Sequence, residues 1–211
     1  MHQSLFADGL WPSLLSLFLS GVVVMGSPGP ATMGITAVGA TFGFRQSLRY
    51  VAGMIVGTTL VLFAVAGGLV AVLFSYPRAA PFLVGLAMTY MLYLAYKIAC
   101  ASPLTGTGNS ASAPNFIGAL LFAVVNPKAY FAIGAVYTGT TLRLGAAGHE
   151  ATVKLAVLAT VILTTQTAWL ILGASLSSVL HKPRLWRAVN LLFAGILVYS
   201  VVVTLAGLHS D

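Results

Sequence analysis

The chain has 211 residues, of which 59% are hydrophobic and only 6% are charged, and its net charge is +7. Because about a quarter of the residues in a soluble domain are charged, this composition excludes a soluble globular protein and predicts an integral membrane protein. The apolar runs are continuous and about twenty residues long, which predicts transmembrane helices rather than the alternating strands of a barrel. The basic residues lie mostly at segment ends and form no stripe, so we expect no nucleic-acid partner.

The first apolar segment begins near Trp11 and contains a helix-breaking motif, Gly26-Ser27-Pro28-Gly29-Pro30. Apolar residues continue on both sides of the motif as far as Gly43. The whole stretch is about 32 residues, too long for one straight crossing of about 20. A serine caps a new helix and a proline suits its first turn, so Ser27 and Pro28 are predicted to end one half-helix and begin another.

A short basic turn, residues 43–49, leads to a second apolar segment over residues 50–74. This segment contains Gly53 and Gly57, whose spacing permits close helix contact. Packing within the chain is the favoured interpretation, ahead of a specific dimer face. A third segment covers residues 82–100, and in it Tyr90 lies deep enough in the span to face a cavity, although an aromatic belt explains its neighbours.

Residues 101–115 are rich in small and polar residues and predict a flexible linker. The fourth segment, residues 116–137, contains Asn126-Pro127-Lys128 near its middle, a second predicted helix break. Lys128 cannot easily reach either membrane interface, and a charge at the centre of a membrane helix costs about 2.5 to 3.5 kcal/mol. No acid lies inside a predicted span, so we expect a helix C-terminus or a substrate carboxylate as its partner, ahead of a purely structural role.

The loop after this segment contains Arg143, Glu150 and Lys154, and the fifth and sixth segments cover residues 155–180 and 188–208. Gln166 lies at the polar centre of the fifth segment. A buried glutamine either joins two helices or lines a cavity, and both interpretations stay open.

The fold predicted from these segments is all-α integral membrane, with six transmembrane helices in a single domain over residues 1–211. The halves, residues 11–100 and 116–208, have three spans each and a broken first helix. Two three-span repeats must insert in opposite orientations, which is the inverted-repeat plan of many secondary transporters. Lys and Arg in the short loops place both termini outside the cytoplasm. No Lys or Arg precedes the first segment, so we expect a retained helix rather than a signal peptide.

Free backbone groups at a helix break cost several kcal/mol each in hydrocarbon, so two breaks in equivalent helices predict a shared polar cavity. The N-termini of the new half-helices suit an anion, and the carbonyl ends of the preceding ones suit an ammonium, which together predict a zwitterionic solute. The sequence shows no metal-ligand pattern and no nucleophile–base pair at membrane depth, so we expect no metal, no cofactor and no enzyme activity. The candidate substrate-binding residues are Ser27, Pro28, Gly29, Pro30, Asn126, Pro127, Lys128, Tyr90 and Gln166.

At these residues the sequence resembles the LysE/RhtB family of bacterial amino-acid exporters. The matching motifs follow in order along almost the whole chain: Ser27-Pro28-Gly29-Pro30, Gly43-Phe44-Arg45 with Gly53 and Gly57, residues 89–97, Asn126-Pro127-Lys128, and residues 187–190 leading into Gly195. The resemblance implies export of amino acids or similar small metabolites across the bacterial inner membrane. It also implies functional positions at Pro28, Gly29, Pro30, Asn126, Pro127 and Lys128.

The chain departs from the family pattern at two places. Ser47 stands where the family often has a glycine, and residues 135–138 contain no proline. These departures leave the subfamily and the substrate open.

The leading hypothesis is a secondary transporter that exports an amino acid by alternating access, with antiport as the expected mode. Its partners would be a small-molecule substrate and membrane lipid, and a homo-oligomer is left open. An exporter of an inorganic ion or another small solute on the same architecture is one alternative. A non-transporting membrane assembly protein is the other, and a membrane enzyme is least favoured.

Overall fold

The computed structural model describes residues 10–68, 79–100, 114–142, 144, 147–179 and 183–208, and no strand occurs among them. The predicted all-helical class is confirmed. Most of the predicted linker, residues 101–115, lies outside these ranges, as do the first nine residues and residues 209–211. The helices are α1 (Leu10–Gly26), α2 (Pro30–Ala66), α3 (Ala79–Ala99), α4 (Phe116–Val125), α5 (Pro127–Gly139), α6 (Ala147–Val179) and α7 (Pro183–Leu208).

Two of these helices are long and apolar enough to cross a membrane: α2 over its whole length and α6 over Gly148–Leu176. A third candidate span is formed by α4 and α5 together, which are bent by 59° at their junction. Shorter apolar helices are α1 and the stretch Arg187–Val203 of α7. Large apolar side chains are exposed along the helices, as lipid contact requires. The chain is therefore a helical membrane protein with two or three candidate spans among the residues described.

The predicted first break lies between α1 and α2, but the new helix begins two residues later than expected. Pro30, not Pro28, occupies the first helical position, where a proline loses no useful N–H donor. Gly29 precedes it in an extended conformation. Ser27 does not cap α2, because its hydroxyl donates back to the carbonyl of Val24 over 2.8 Å.

The predicted basic turn over residues 43–49 is wrong, since only Gly43 leaves the helical conformation and residues 44–49 are helical. Gly43 has φ 74°, a left-handed conformation that glycine adopts without strain. The buried hydroxyl of Ser47 lies 2.6 Å from the carbonyl oxygen of Gly43 and 3.0 Å from that of Val38. The serine that departs from the family pattern thus places its hydroxyl within hydrogen-bond distance of the carbonyl at the kink and of one in the preceding turn.

The predicted second break is confirmed between α4 and α5. Asn126 is the only residue between the two helices, and Pro127 opens α5. The side-chain oxygen of Asn126 accepts from the backbone N–H of Lys128 over 3.1 Å. This is the cap that the sequence predicted, formed entirely by neighbouring residues.

The prediction that Glu150 and Lys154 lie in a loop is wrong, because α6 begins at Ala147. The two side chains form an ion pair of 2.8 Å within the first turns of the helix. Lys154 also donates to the carbonyl of Tyr137 over 3.1 Å, and Glu150 accepts from the backbone N–H of Leu142 over 3.1 Å. The polar residues that suggested a loop instead fasten the start of α6 to the end of α5.

The helices pair across the two halves of the sequence: α1 packs on α6, α2 on α4 and α6, and α3 on α7. Gly53 and Gly57 make the contact between α2 and α4 possible. A Cβ on Gly57 would lie 2.6 Å from the carbonyl oxygen of Leu120, and one on Gly53 would overlap the carbonyl of Phe116. The favoured interpretation of this glycine pair, packing within the chain, is confirmed.

Candidate functional site

The side chain of Lys128 joins the two breaks. Its ammonium donates to the carbonyl oxygen of Ser27 over 2.9 Å, to the hydroxyl of Ser27 over 2.9 Å and to the carbonyl oxygen of Pro28 over 3.2 Å. An ammonium has three N–H donors, so these contacts can occupy all of them. Of the two partners that the sequence suggested, a helix C-terminus and a substrate carboxylate, the structure shows the first.

The ammonium of Lys128 is held by neutral oxygen atoms alone among the contacts described. Glu150, the one acid within the described ranges, pairs with Lys154. The carbonyls at the end of α1, which the sequence suggested as a site for a substrate ammonium, are thus occupied by a lysine of the protein itself. A role for these carbonyls in binding a substrate ammonium stays a prediction.

Gly29 makes room for the lysine to cross the break. A Cβ at this position would lie 2.6 Å from the ammonium nitrogen of Lys128 and 3.0 Å from its Cδ. Real Cβ atoms do not approach other heavy atoms this closely, so any larger residue would displace the lysine side chain. The close approach that the sequence predicted at Gly29 is therefore made by Lys128.

Two further residues satisfy backbone groups at the first break, and sequence reasoning assigned neither of them to the site. The indole N–H of Trp169, on α6, donates to the carbonyl of Gly26 over 3.0 Å. The hydroxyl of Thr32 accepts from the N–H of Gly29 over 2.8 Å. Thr32 follows the break by three residues at a position typical of a capping interaction, a signal that could have been used. Nothing local marks Trp169 as a donor to Gly26.

A cavity of about 50 Å³ lies beside the two breaks. At roughly 10–15 Å³ for each water, it has room for about three to five water molecules. Of the predicted site residues, Gly29, Asn126, Lys128 and Gln166 line it, whereas Ser27, Pro28, Pro30 and Pro127 form the adjacent breaks. The remaining lining is Met25, Ala31, Thr32, Ile35, Thr58, Ala129, Ala132, Ile133, Ile162 and Thr165.

Gln166 both lines the cavity and joins two helices. Its side-chain nitrogen donates to the hydroxyl of Thr58, on α2, over 2.9 Å. The hydroxyl of Thr58 donates in turn to the carbonyl of Met54 over 2.8 Å. The sequence left open whether Gln166 joins two helices or lines a cavity, and in the structure it does both. Thr58 also lines the cavity, and it was not predicted from the sequence.

Tyr90 is placed elsewhere. Its ring stacks on that of Phe122 with a centroid distance of 4.9 Å and lies 5.8 Å from that of Tyr93. It is absent from the lining of the cavity. A role for Tyr90 in substrate binding stays a prediction.

The family model described as LysE type translocator matches residues 22–207. The chain belongs to the LysE family of translocators. The curated relatives include cysteine/O-acetylserine efflux proteins of Escherichia coli and Shigella sonnei, both 32% identical to this LysE-family chain over 118 residues. The matched region is 56% of this chain and 60% of each relative, so the chain spans less than two thirds of their length. No solved structure matches this translocator.

Proposed function

We propose that this LysE-family translocator exports an amino acid from the cytoplasm across the bacterial inner membrane by alternating access. Lys128 would bind the carboxylate of the substrate during the cycle. The observation that supports this most strongly is the position of its ammonium, which bridges the two breaks beside the cavity and is held only by neutral oxygens. A charge-assisted hydrogen bond to a carboxylate is stronger than one to a neutral carbonyl, so a substrate can compete for the lysine.

This competition would couple binding to movement of the first break. When the ammonium of Lys128 turns to a substrate, the carbonyl of Pro28 loses this donor and that of Ser27 keeps only the hydroxyl of Thr32, at 3.3 Å. Unpaired carbonyls in a low-dielectric interior are unfavourable, so the break would reorganise until water or other donors reach them. Substrate binding and opening of the first break become one event in this mechanism.

The proposed binding region consists of the two breaks and the cavity beside them. The N-termini of α2 and α5 face this region and favour an anion. Tyr90 lies outside it in this conformation and would reach a substrate only in another one. The region contains the predicted residues Ser27, Pro28, Gly29, Pro30, Asn126, Pro127, Lys128 and Gln166.

We retain the six-span inverted repeat as the architecture of the transport cycle. The cross-half pairing of α1 with α6, α2 with α4, and α3 with α7 supports it, because each contact joins one half to the other. In such an arrangement the broken helices of the two halves, α1–α2 and α4–α5, lie on either side of one site. Antiport and both termini outside the cytoplasm remain part of the proposal, and the oligomeric state stays open.

A small, polar amino acid is the substrate class that the cavity favours. Its lining offers the hydroxyls of Thr32, Thr58 and Thr165 and the amide of Gln166, and its volume is small. The names of the relatives, cysteine/O-acetylserine efflux proteins, fit this class. We therefore propose L-cysteine and O-acetyl-L-serine as the first substrates to test.

The test is counterflow of labelled L-cysteine, O-acetyl-L-serine and a panel of other amino acids in proteoliposomes. We expect the wild-type chain to transport at least one of them, and Lys128→Met to abolish that transport while still inserting into the membrane. Lys97→Met is the matched control, because Lys97 lies in the last turn of α3 and does not line the cavity.

Two results would contradict the proposal. Failure of the wild-type chain to move any amino acid would favour the alternatives, which are export of an inorganic ion or another small solute and a non-transporting assembly role. Full transport by Lys128→Met would return Lys128 to a structural role.

A further inference from the structure

One acceptor on the cavity has no donor. The side-chain oxygen Oε1 of Gln166 is buried, and no hydrogen-bond partner reaches it within the part of the chain that the structure describes. Gln166 is 7% exposed and belongs to the cavity lining. A buried amide oxygen without a donor is unusual in a folded protein and points to a ligand or an ordered water.

The orientation of this amide follows from its hydrogen-bonded neighbours. Thr58 has one hydroxyl proton, and it is donated to the carbonyl of Met54 over 2.8 Å. The hydroxyl oxygen of Thr58 can therefore only accept from Gln166, so the nitrogen of the amide must face it, at 2.9 Å. In this arrangement of donors, Oε1 is the amide atom left without a partner.

The ammonium and hydroxyl donors that line the cavity already have partners. The ammonium of Lys128 is held at the first break by Ser27 and Pro28. The hydroxyl of Thr165 donates to the carbonyl of Val161 over 2.6 Å, and that of Thr32 lies 3.1 Å from the carbonyl oxygen of Gly29. The donor that Oε1 needs must come from outside these groups.

We infer that Gln166 recognises the α-ammonium group of the transported amino acid, through Oε1, and that Thr58 positions the amide for this purpose. This inference rests on the proposed function and completes its zwitterion site: the carboxylate goes to Lys128 and the ammonium to Gln166. It assigns the ammonium to Oε1 rather than to the carbonyls at the end of α1, because Oε1 has no donor in this conformation whereas those carbonyls accept from Lys128. Gln166 is then a specificity-determining residue that distinguishes amino acids from carboxylic acids without an amino group.

The test compares L-cysteine with 3-mercaptopropionate, which is the same molecule without the α-ammonium group. Each compound competes with the labelled amino acid that the wild-type chain transports. The inhibition of transport is measured in proteoliposomes that contain the wild-type chain, Gln166→Met or Gln166→Glu. Methionine keeps the length of the side chain and removes the acceptor, whereas glutamate keeps an acceptor. We expect Gln166→Met to weaken competition by L-cysteine on the order of 10- to 100-fold and to leave 3-mercaptopropionate within about twofold.

Gln166→Glu should retain the preference for L-cysteine. Thr58→Val, which frees the amide to rotate, should reduce this preference without removing the acceptor. Gln46→Met is the matched control, since Gln46 is exposed on α2 and does not line the cavity. It should leave competition by both compounds unchanged.

The inference is overturned if Gln166→Met weakens both competitors equally or neither of them, which would mean that Oε1 packs against an ordered water or has no part in recognition. In that event the wild-type chain still transports an amino acid, and the proposed function stands. If the wild-type chain transports no amino acid, the proposed function fails and this inference fails with it.

Discussion

The two helix breaks look alike in the sequence but are stabilised in different ways. At the second break the donors and acceptors are neighbours: Asn126 caps the N–H of Lys128, and the N–H of Ala129 donates to the carbonyl of Asn126 over 3.0 Å. At the first break the carbonyls of Gly26 and Pro28 accept from side chains far along the chain, and that of Ser27 accepts from Lys128 as well as lying 3.3 Å from the hydroxyl of Thr32. Lys128 reaches Ser27 across 101 residues of sequence, and Trp169 reaches Gly26 across 143.

This difference indicates which break can move. A cap formed by adjacent residues stays in place whatever the rest of the protein does, so the junction of α4 and α5 forms a fixed frame. A break satisfied by distant donors changes when those donors find other partners. We therefore expect the segment Ser27-Pro28-Gly29 to move during transport and the segment around Asn126 to hold its shape.

Among substitutions at the two breaks, Gly29→Ala at the first break is expected to have the largest effect. The new Cβ would lie 2.6 Å from the ammonium nitrogen of Lys128, so the lysine side chain must shift away from its position at the first break. We expect transport to fall by about tenfold or more, a loss equivalent to about 1.4 kcal/mol, as measured by counterflow in proteoliposomes. Gly134→Ala on α5 is the control, because a Cβ there meets nothing within 4 Å. An equal loss of transport in Gly29→Ala and Gly134→Ala would show that the loss does not come from displacing the side chain of Lys128.

A smaller effect is expected from Trp169→Phe. Phenylalanine keeps an aromatic ring but removes the indole N–H, which leaves the carbonyl of Gly26 without this donor. We expect the free energy of unfolding in detergent to fall by about 1 to 3 kcal/mol. Trp11→Phe provides the control, since Trp11 is 63% exposed near the start of α1. An unchanged stability in Trp169→Phe would mean that water replaces the indole at no cost.

The smallest effect is expected from Asn126→Ala at the second break. Loss of a side-chain cap costs about 1 kcal/mol, which unfolding in detergent can measure. Asn126→Ser should restore most of the loss, because serine also accepts at this position. If Asn126→Ser is as unstable as Asn126→Ala, the second break is not stabilised by its cap, and the contrast between the two breaks disappears.

The second break could be predicted from the sequence because its geometry depends on three adjacent residues. Pro127 begins the helix, and the side chain of Asn126 accepts from the backbone N–H of Lys128, as the spacing indicates. The first break offers two prolines as helix starts, and local rules favour Ser27-Pro28. The structure uses Pro30, where Gly29 binds the hydroxyl of Thr32 and leaves room for Lys128.

Other features depended on contacts between distant segments and could not be predicted. Glu150 and Lys154 suggested a loop because charged residues end most membrane segments, yet their ion pair and the carbonyl of Tyr137 make them compatible with a helix. Trp169 and Thr58 lie in apolar runs whose pattern predicts helices but does not indicate which carbonyl or amide each will meet. The contacts of the site between residues distant in sequence therefore had to be read from the fold.

The central claim is that Lys128 exchanges the carbonyls of the first break for the carboxylate of a substrate. Solid-state NMR can measure the coupling between the Lys128 ammonium ¹⁵N and the carbonyl ¹³C of Ser27, with Lys128→Met used to assign the signal. Without substrate we predict a strong coupling, since the nitrogen lies 2.9 Å from that carbonyl oxygen. After addition of carboxyl-¹³C L-cysteine we predict that coupling to Ser27 is lost and that coupling to the substrate carboxyl appears. Persistence of the Ser27 coupling at saturating substrate, with none to the substrate, would contradict the claim.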